Sequence, residues 1–200
     1  NVETRYVPHA VDSNVFVPLN DEDKRKEARE KHFGSDDKFV IIWNNRNAKR
    51  KQTGTLIKWY SSFLDTLNKE ESEKCVLVMH TDPSDPYGQD INTILRDFKL
   101  DNGQVLLSKD KVPPQNLAAM YNISDVTVNI SDAEGFGLGT LESLSCGTPI
   151  IVTMTGGLQE QVTDGKEWFG VGIEPSSKAL IGSQQVPYIY EDRISEQDFV

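Results

Sequence analysis

Apolar and polar positions alternate along the chain in blocks, and the blocks predict strand and helix units following one another. Short apolar runs occur at 38–43, 75–80, 105–107, 126–130, 149–153 and 170–173. Runs without polar alternation suit strands buried on both faces of a parallel sheet. Helical spacing fills the gaps between them. Residues 53–67 place Leu56, Ile57, Tyr60, Phe63, Leu64 and Leu67 on one side. Residues 89–98 form a second helix. Residues 114–121 form a third, which opens at the Pro113-Pro114 pair, where proline is tolerated, and turns Leu117, Met120 and Tyr121 inward. Ahead of the first run, residues 21–33 read as a solvated outer helix with mixed charges, capped by Asn20 or Asp21 and stopped by Gly34. Repeated units of this kind predict an α/β fold, a doubly wound parallel sheet of the Rossmann-like kind, with functional loops at the carboxyl ends of the strands.

The ends of the chain are less regular. Residues 2–8 read as a short strand, followed by a turn at 9–12. Beyond Glu174 and Pro175 the pattern loosens into a loop carrying an insertion over 176–186 and an extended segment over 186–190. Ser195-Glu196-Gln197-Asp198 has the shape of a helix start, two residues before Val200. The expected organisation is one domain over 1–200, with 1–20 as an entry segment and 174–200 as a looser tail. A first residue other than methionine leads to the expectation of a piece cut from a longer protein.

Composition narrows the field of functions. A chain of 200 residues, 37% hydrophobic and 26% charged, suits one globular α/β domain. No stretch approaches the length of a membrane span. A formal charge of −10 weighs against nucleic acid or an anionic membrane as partner. Any phosphate ligand must therefore be met by local cations and helix ends. Cys75 and Cys146 fit reduced core residues of a cytoplasmic protein. His9, His32 and His80 are scattered without ligand spacing, so no metal site is expected.

Two loops carry candidate chemistry. After the run at 38–43, the segment 44–51 holds Arg46, Lys49, Arg50 and Lys51, a cationic loop in an acidic chain. After the run at 126–130 come Glu134, then Gly135, Gly137 and Gly139, then a helix that contains Glu142 and is closed by Gly147 and Pro149. Glycines at a helix entrance leave backbone N–H groups open to a phosphate or a sugar oxygen. Carboxylates at either side suit vicinal hydroxyls. A ligand with hydroxyls at both ends and phosphates between them is a nucleotide-sugar. The dehydrogenase fingerprint of spaced glycines belongs after the first strand, and these glycines come too late in the chain for it.

The run from Ser131 to Ile151 resembles the Glu-x7-Glu motif of retaining GT-B glycosyltransferases of family 4, which reads S-x-x-E-G-F-G-L-x-x-L-E-A-x-A-C-G-x-P-V-I. Arg46 and Lys51 keep the spacing of that family's G-R-x-x-x-x-K-G, with Asn45 and Gln52 in place of the glycines. His9-Ala10-Val11-Asp12 is similar to its [NH]-G-V-D entry segment, with Ala10 replacing glycine, and 155–165 is similar to its G-G-x-x-E-x-V-x-D-G.

The resemblance implies the donor-binding second half of a two-domain hexosyltransferase. By that resemblance Arg46 and Lys51 grip the donor diphosphate and Glu134 orients the sugar ring. Gly135, Phe136, Gly137 and Leu138 offer backbone, and Glu142 binds the ribose. Lys109, Asp110 and Val112 lie in the loop expected to cradle the base, where Asp110 is a candidate acceptor from guanine. His80 is either a cleft residue or a structural one. The Gly156-Gly157 amides are expected beside sugar or phosphate, and Glu160 as a helix brace.

No cofactor or metal is implied. The segment 43–47 looks most like that of GDP-mannose users, with UDP- and ADP-sugars as alternatives. The acceptor, a sugar or a lipid-linked one, is expected on a separate N-terminal domain, so residues 1–200 alone are expected to bind nucleotide without transferring sugar. Two other readings stay open: a non-catalytic nucleotide- or sugar-binding module, and a sugar-phosphate epimerase or phosphorylase on the same scaffold.

Overall fold

Each apolar run becomes a strand of one parallel sheet in the computed structural model, which describes residues 3–200. The strands are β1 (Phe39–Asn44), β2 (Cys75–His80), β3 (Val105–Ser108), β4 (Val126–Asn129), β5 (Ile150–Thr153) and β6 (Gly170–Ile173). Their order is β3-β2-β1-β4-β5-β6, every neighbouring pair parallel. The chain steps outward from β1 to β3, then returns to lay β4 on the other side of β1. That reversal opens a crevice between the carboxyl ends of β1 and β4, the topological switch point where sheets of this kind bind ligands.

Helices cover both faces. They are α1 (Glu22–Phe33), α2 (Thr53–Thr66), α3 (Lys69–Lys74), α4 (Ile91–Asp97), α5 (Pro114–Asn122), α6 (Leu138–Ser145), α7 (Gln159–Val162) and α8 (Glu196–Phe199). Successive side chains of a strand point to opposite faces, and β1 divides its residues accordingly. Ile41 and Trp43 join Leu56, Ile57 and Tyr60 of α2 and Ile91 of α4. Val40 and Ile42 join Ala118 and Tyr121 of α5, with Phe16 beside them. Both clusters are closed to water, which anchors the two strands that flank the switch point.

The outer helix is tied down more firmly than its charge pattern suggests. Asp21 caps α1 by accepting from the Lys24 amide, and Gly34 ends it at φ 79°, a left-handed turn that glycine adopts without strain. On its inner side Arg29 is only 2% exposed. Its guanidinium donates to the Asp125 carboxylate and to the carbonyls of Asp36 and Ile123. Asp125 also accepts from the Val40 amide at 2.7 Å, so one buried pair clamps α1 to the starts of β1 and β4.

Three expectations change. Of the predicted strand over 2–8, Val2 lies outside the described residues, and residues 3–8 form no strand. The sheet ends at β3 and β6, and this segment instead lies near α7, where the Tyr6 hydroxyl donates to Glu160. Residues 49–51 form a turn of 3-10 helix, and α3 fills a stretch assigned no element. The predicted loop over 176–186 contains β7 (Ser177–Leu180), which pairs antiparallel with β8 (Tyr190–Arg193), a strand that begins where the expected extended segment ends. Among the described residues, no helix is long and apolar enough to cross a membrane.

Replacing Arg29 with alanine strips the buried donor from the Asp36 and Ile123 carbonyls and leaves the Asp125 carboxylate with Arg25 as its one cation among the described residues. Urea denaturation should show a loss of about 3 kcal/mol, the range for breaking a buried pair from one side. A loss below about 1 kcal/mol would mean that the clamp is not carrying α1.

Candidate functional site

The two chemistry-bearing loops of the sequence leave the sheet on either side of the switch point and meet there. β1 ends at Asn44 and runs into the cationic loop; β4 ends at Asn129 and runs into the glycine loop. Their backbones are joined directly, since the Asp132 amide donates to the Arg50 carbonyl at 2.9 Å. Arg50 also reaches across, its guanidinium donating to the Ala133 carbonyl at 2.8 Å and lying 3.5 Å from the Glu134 carboxylate. Lys51 forms an ion pair with Glu134, and both side chains are nearly closed to solvent, at 7% and 11% exposure. Burial pushes the Lys51 ammonium pKa down, against the opposing pull of Glu134.

Glycines set how closely the glycine loop is held. Gly137 sits at φ 88° just before α6, where a Cβ would lie 2.6 Å from the Leu158 side chain. Among the described residues, the amides of Leu138 and Gly139 have no acceptor, as expected for the first turn of a helix. Gly139 packs this helix start against the end of β1: a Cβ there would lie 3.3 Å from both the Asn44 carbonyl and the Tyr121 hydroxyl.

From the β5 side, Gly156 at φ 50° and Gly157 press against the Glu134 and Phe136 backbone. The Gly157 amide donates to the Glu134 carbonyl at 3.3 Å. The glycine pair therefore braces the glycine loop, and this amide is not free for a ligand. Gln161 of α7 adds to the brace by donating to the carbonyls of Phe136 and Gly137. Glu160, expected to brace a helix, accepts instead from Tyr6.

Glu142, one turn into α6, accepts from the Tyr121 hydroxyl at 3.0 Å, and that hydroxyl accepts from the Asn44 amide at 2.7 Å. Burial raises the Glu142 carboxyl pKa while the Tyr121 hydrogen bond lowers it. This chain of bonds aims Glu142 at the end of β1. His9 lies against Phe136 at 5.0 Å between ring centroids with the rings tilted by 54°, placing the entry segment beside the glycine loop.

The remaining predicted residues spread along the same edge of the sheet. Arg46 is turned away from the crevice: it pairs with Asp85 in the loop after β2 and lies 5.5 Å over the Tyr87 ring. His80 ends β2 and bonds Ser108 through Nδ1 at 2.9 Å, and burial lowers its pKa, which keeps the ring neutral near pH 7. Lys109, Asp110 and Val112 follow β3, the first two exposed. At about 4.8 Å per strand, β4 to β3 covers about 14 Å, a span comparable to an extended nucleotide.

Four contributors did not stand out in the sequence. Arg50 was one cation among several. Gln52 replaces a family glycine and adopts φ 57°, the left-handed conformation that explains glycine at that position. Its amide donates to Asp132 and its carbonyl accepts from Thr55. Asp132, 4% exposed, is raised to about 6, chiefly by burial. Arg193 of β8 lies 3.4 Å from Asp132.

Two outcomes follow from this geometry. A raised acid favours its protonated form in the fold, so ionising Asp132 costs stability as pH rises from about 4 to about 6. The stability of Asp132→Asn relative to the parent should therefore climb by about 2 kcal/mol between pH 4 and pH 7, and a constant difference would contradict the buried carboxyl. Gly156→Ala sets a Cβ at 1.8 Å from the Glu134 carbonyl. It should displace the glycine loop, read as broadened or shifted amide signals at 133–138, whereas an unchanged spectrum there would show that the brace is slack.

The model of the family described as glycosyl transferases group 1 matches residues 24–199. Over 177 residues the chain is 29% identical to D-inositol 3-phosphate glycosyltransferase of Corynebacterium jeikeium, a match covering 88% of this chain and 41% of that protein. Over 168 residues it is 27% identical to GDP-mannose-dependent alpha-(1-6)-phosphatidylinositol monomannoside mannosyltransferase of Mycolicibacterium smegmatis, covering 80% and 41%. The fold is similar to sucrose-phosphate synthase of Thermosynechococcus elongatus, with a TM-score of 0.68 at 24% identity over 88% of this chain and 40% of that one. The chain spans about two fifths of the length of each of these proteins. A family match over nearly the whole sequence, on a sheet whose switch point joins the two motif loops, shows that this chain belongs to the glycosyl transferases group 1.

Proposed function

We propose that residues 1–200 bind the nucleotide-sugar donor of a retaining hexosyltransferase, with the diphosphate seated at the switch point between β1 and β4. The observation that carries this reading is the direct meeting of Lys51 and Arg50 with Glu134, beside the open amides of Leu138 and Gly139. In transfer, negative charge gathers on the departing diphosphate while the sugar becomes cation-like. Groups already fixed around that position favour the charge without reorganising when it forms. Lys51 offers an ammonium, and the start of α6 offers N–H groups at the positive end of a helix. Arg46 joins them by exchanging Asp85 for a phosphate oxygen.

A diphosphate that takes over Lys51 frees the Glu134 carboxylate to accept from the hydroxyls of the sugar. Glu142, oriented by Tyr121, accepts from the ribose hydroxyls, and the loop holding Lys109, Asp110 and Val112 faces the base. No side-chain base is needed when the acceptor hydroxyl attacks from the leaving-group side and passes its proton to the diphosphate. No metal or other cofactor enters this scheme. GDP-mannose is the donor favoured, on the loop at 43–47 and on the relative whose name specifies GDP-mannose. The acceptor site lies on a domain outside these residues, and the setting is cytoplasmic.

Calorimetric titration with GDP-mannose, UDP-glucose and ADP-glucose tests the reading. GDP-mannose should bind most tightly, and Lys51→Met should weaken it ten- to a hundredfold, about 1.4–3 kcal/mol. Absence of binding by all three, or an affinity indifferent to Lys51→Met, would overturn it.

A further inference from the structure

The β7–β8 hairpin has no place in the scheme above, yet its root is wired into the switch point. The Asp192 amide donates to the Asp132 carbonyl at 2.8 Å, and the Asp192 carboxylate accepts from Thr155, in the loop after β5, at 2.8 Å. Next along β8, Arg193 places one nitrogen 3.4 Å from the Asp132 carboxylate and 2.9 Å from that of Glu191. Its Nε is enclosed and finds no acceptor among the described residues.

Asp132 is the meeting point. Its carbonyl is held by β8, its amide by Arg50 of the cationic loop, and its carboxylate by Gln52 and Arg193. It stands two residues before Glu134 and is almost wholly buried. Gln52 in turn immediately follows Lys51 and is held in a left-handed conformation that a residue with a side chain adopts only under constraint. Gln52, next to Lys51, and Asp132, two residues before Glu134, are thus fixed by one polar cluster with buried carboxylates, and the cluster is completed by Arg193 of β8, whose side chain is 42% exposed.

In a buried polar cluster each lost partner is costly, and Arg193 is the cation shared by the Asp132 and Glu191 carboxylates. Removal of the Arg193 charge would leave the Asp132 and Glu191 carboxylates facing each other inside the fold, and Asp132 would lose the partner that sets its orientation. The loops on both sides of the crevice would then be free to separate while the sheet beneath them stayed intact.

We propose that the β7–β8 hairpin is a positioning element of the switch-point site, with Arg193 acting through Asp132 and Gln52 to hold Lys51 and Glu134 in register. The functional meaning of this rests on the donor-binding reading; the positioning itself does not. Amide hydrogen exchange on the nucleotide-free full chain separates the two. Arg193→Met should speed exchange five- to tenfold at residues 132–138 and 49–53 and leave β1 and β2 as protected as before. Arg193→Lys, which keeps the charge, should restore most of that protection. Unchanged exchange at both loops, or a uniform rise that includes β1 and β2, would overturn the proposal.

Calorimetry on the same proteins with GDP-mannose supplies the second readout, a tenfold weaker affinity for Arg193→Met that Arg193→Lys reverses. Affinity unaltered by Arg193→Met despite loosened loops would overturn the role in the site. If the parent binds no nucleotide-sugar while its loops loosen as expected, the positioning stands and the donor reading falls.

Discussion

The contact on which the site depends is the buried ion pair between Lys51 and Glu134. Each residue comes from a loop at the carboxyl end of a different strand, and the loops are 83 positions apart in the chain. Taking an ammonium and a carboxylate out of water is costly, and their mutual attraction offsets that cost only when other bonds fix the geometry. Here those bonds are present: Arg50 to Ala133, Asp132 to Arg50, Gln52 to Asp132, and the glycine pair of 156–157 pressing from behind. The pair is a weak source of stability and a strong constraint on shape.

That constraint exists because of the order of the strands. β1 and β4 are neighbours in the sheet although two strand–helix units separate them in sequence. β1 is sealed by apolar clusters on both faces, β4 by an apolar cluster on one face and by buried polar contacts such as Thr127 to Ser143 on the other, and the Arg29–Asp125 clamp closes the opposite end of the same strand pair. A rigid base with two loops projecting from it gives cations and open amides a fixed separation. An anionic ligand then meets loops whose backbones need little ordering, while Lys51 exchanges Glu134 and Arg46 exchanges Asp85 for it.

Much of this was legible in the sequence because the strands are short apolar runs and the glycines mark turns. The runs at 38–43, 75–80, 126–130 and 170–173 fall on strands to within a residue or so; Glu134 and Gly137 fall in the loop after β4, Glu142 in α6 and Lys51 in the turn after β1. What escaped notice has a physical reason in each case. The β7 strand exposes most of its residues, so it has no apolar run to betray it. Residues 3–8 have the composition of a strand, yet they pair with neither edge of the sheet and lie near α7 through the Tyr6–Glu160 bond. Arg29 looked like one charge among many on a solvated helix, because burial by a partner 96 positions away leaves no local trace. Arg46 carries the spacing of a phosphate ligand, yet it pairs with Asp85, a partner in another loop that leaves no local trace in the sequence. Gln52 stands where a glycine was expected and keeps the glycine's backbone angle, exchanging conformational ease for a bond to Asp132.

The most direct measurement is a map of backbone amide shifts as GDP is added to isotope-labelled protein. Shifts should concentrate at 46–52 and at 134–142, with a second, smaller group at 109–113. β6 and α1 should stay unmoved. Shifts confined to residues away from the crevice, or absent from both loops at the switch point, would contradict convergence of the two loops on one diphosphate.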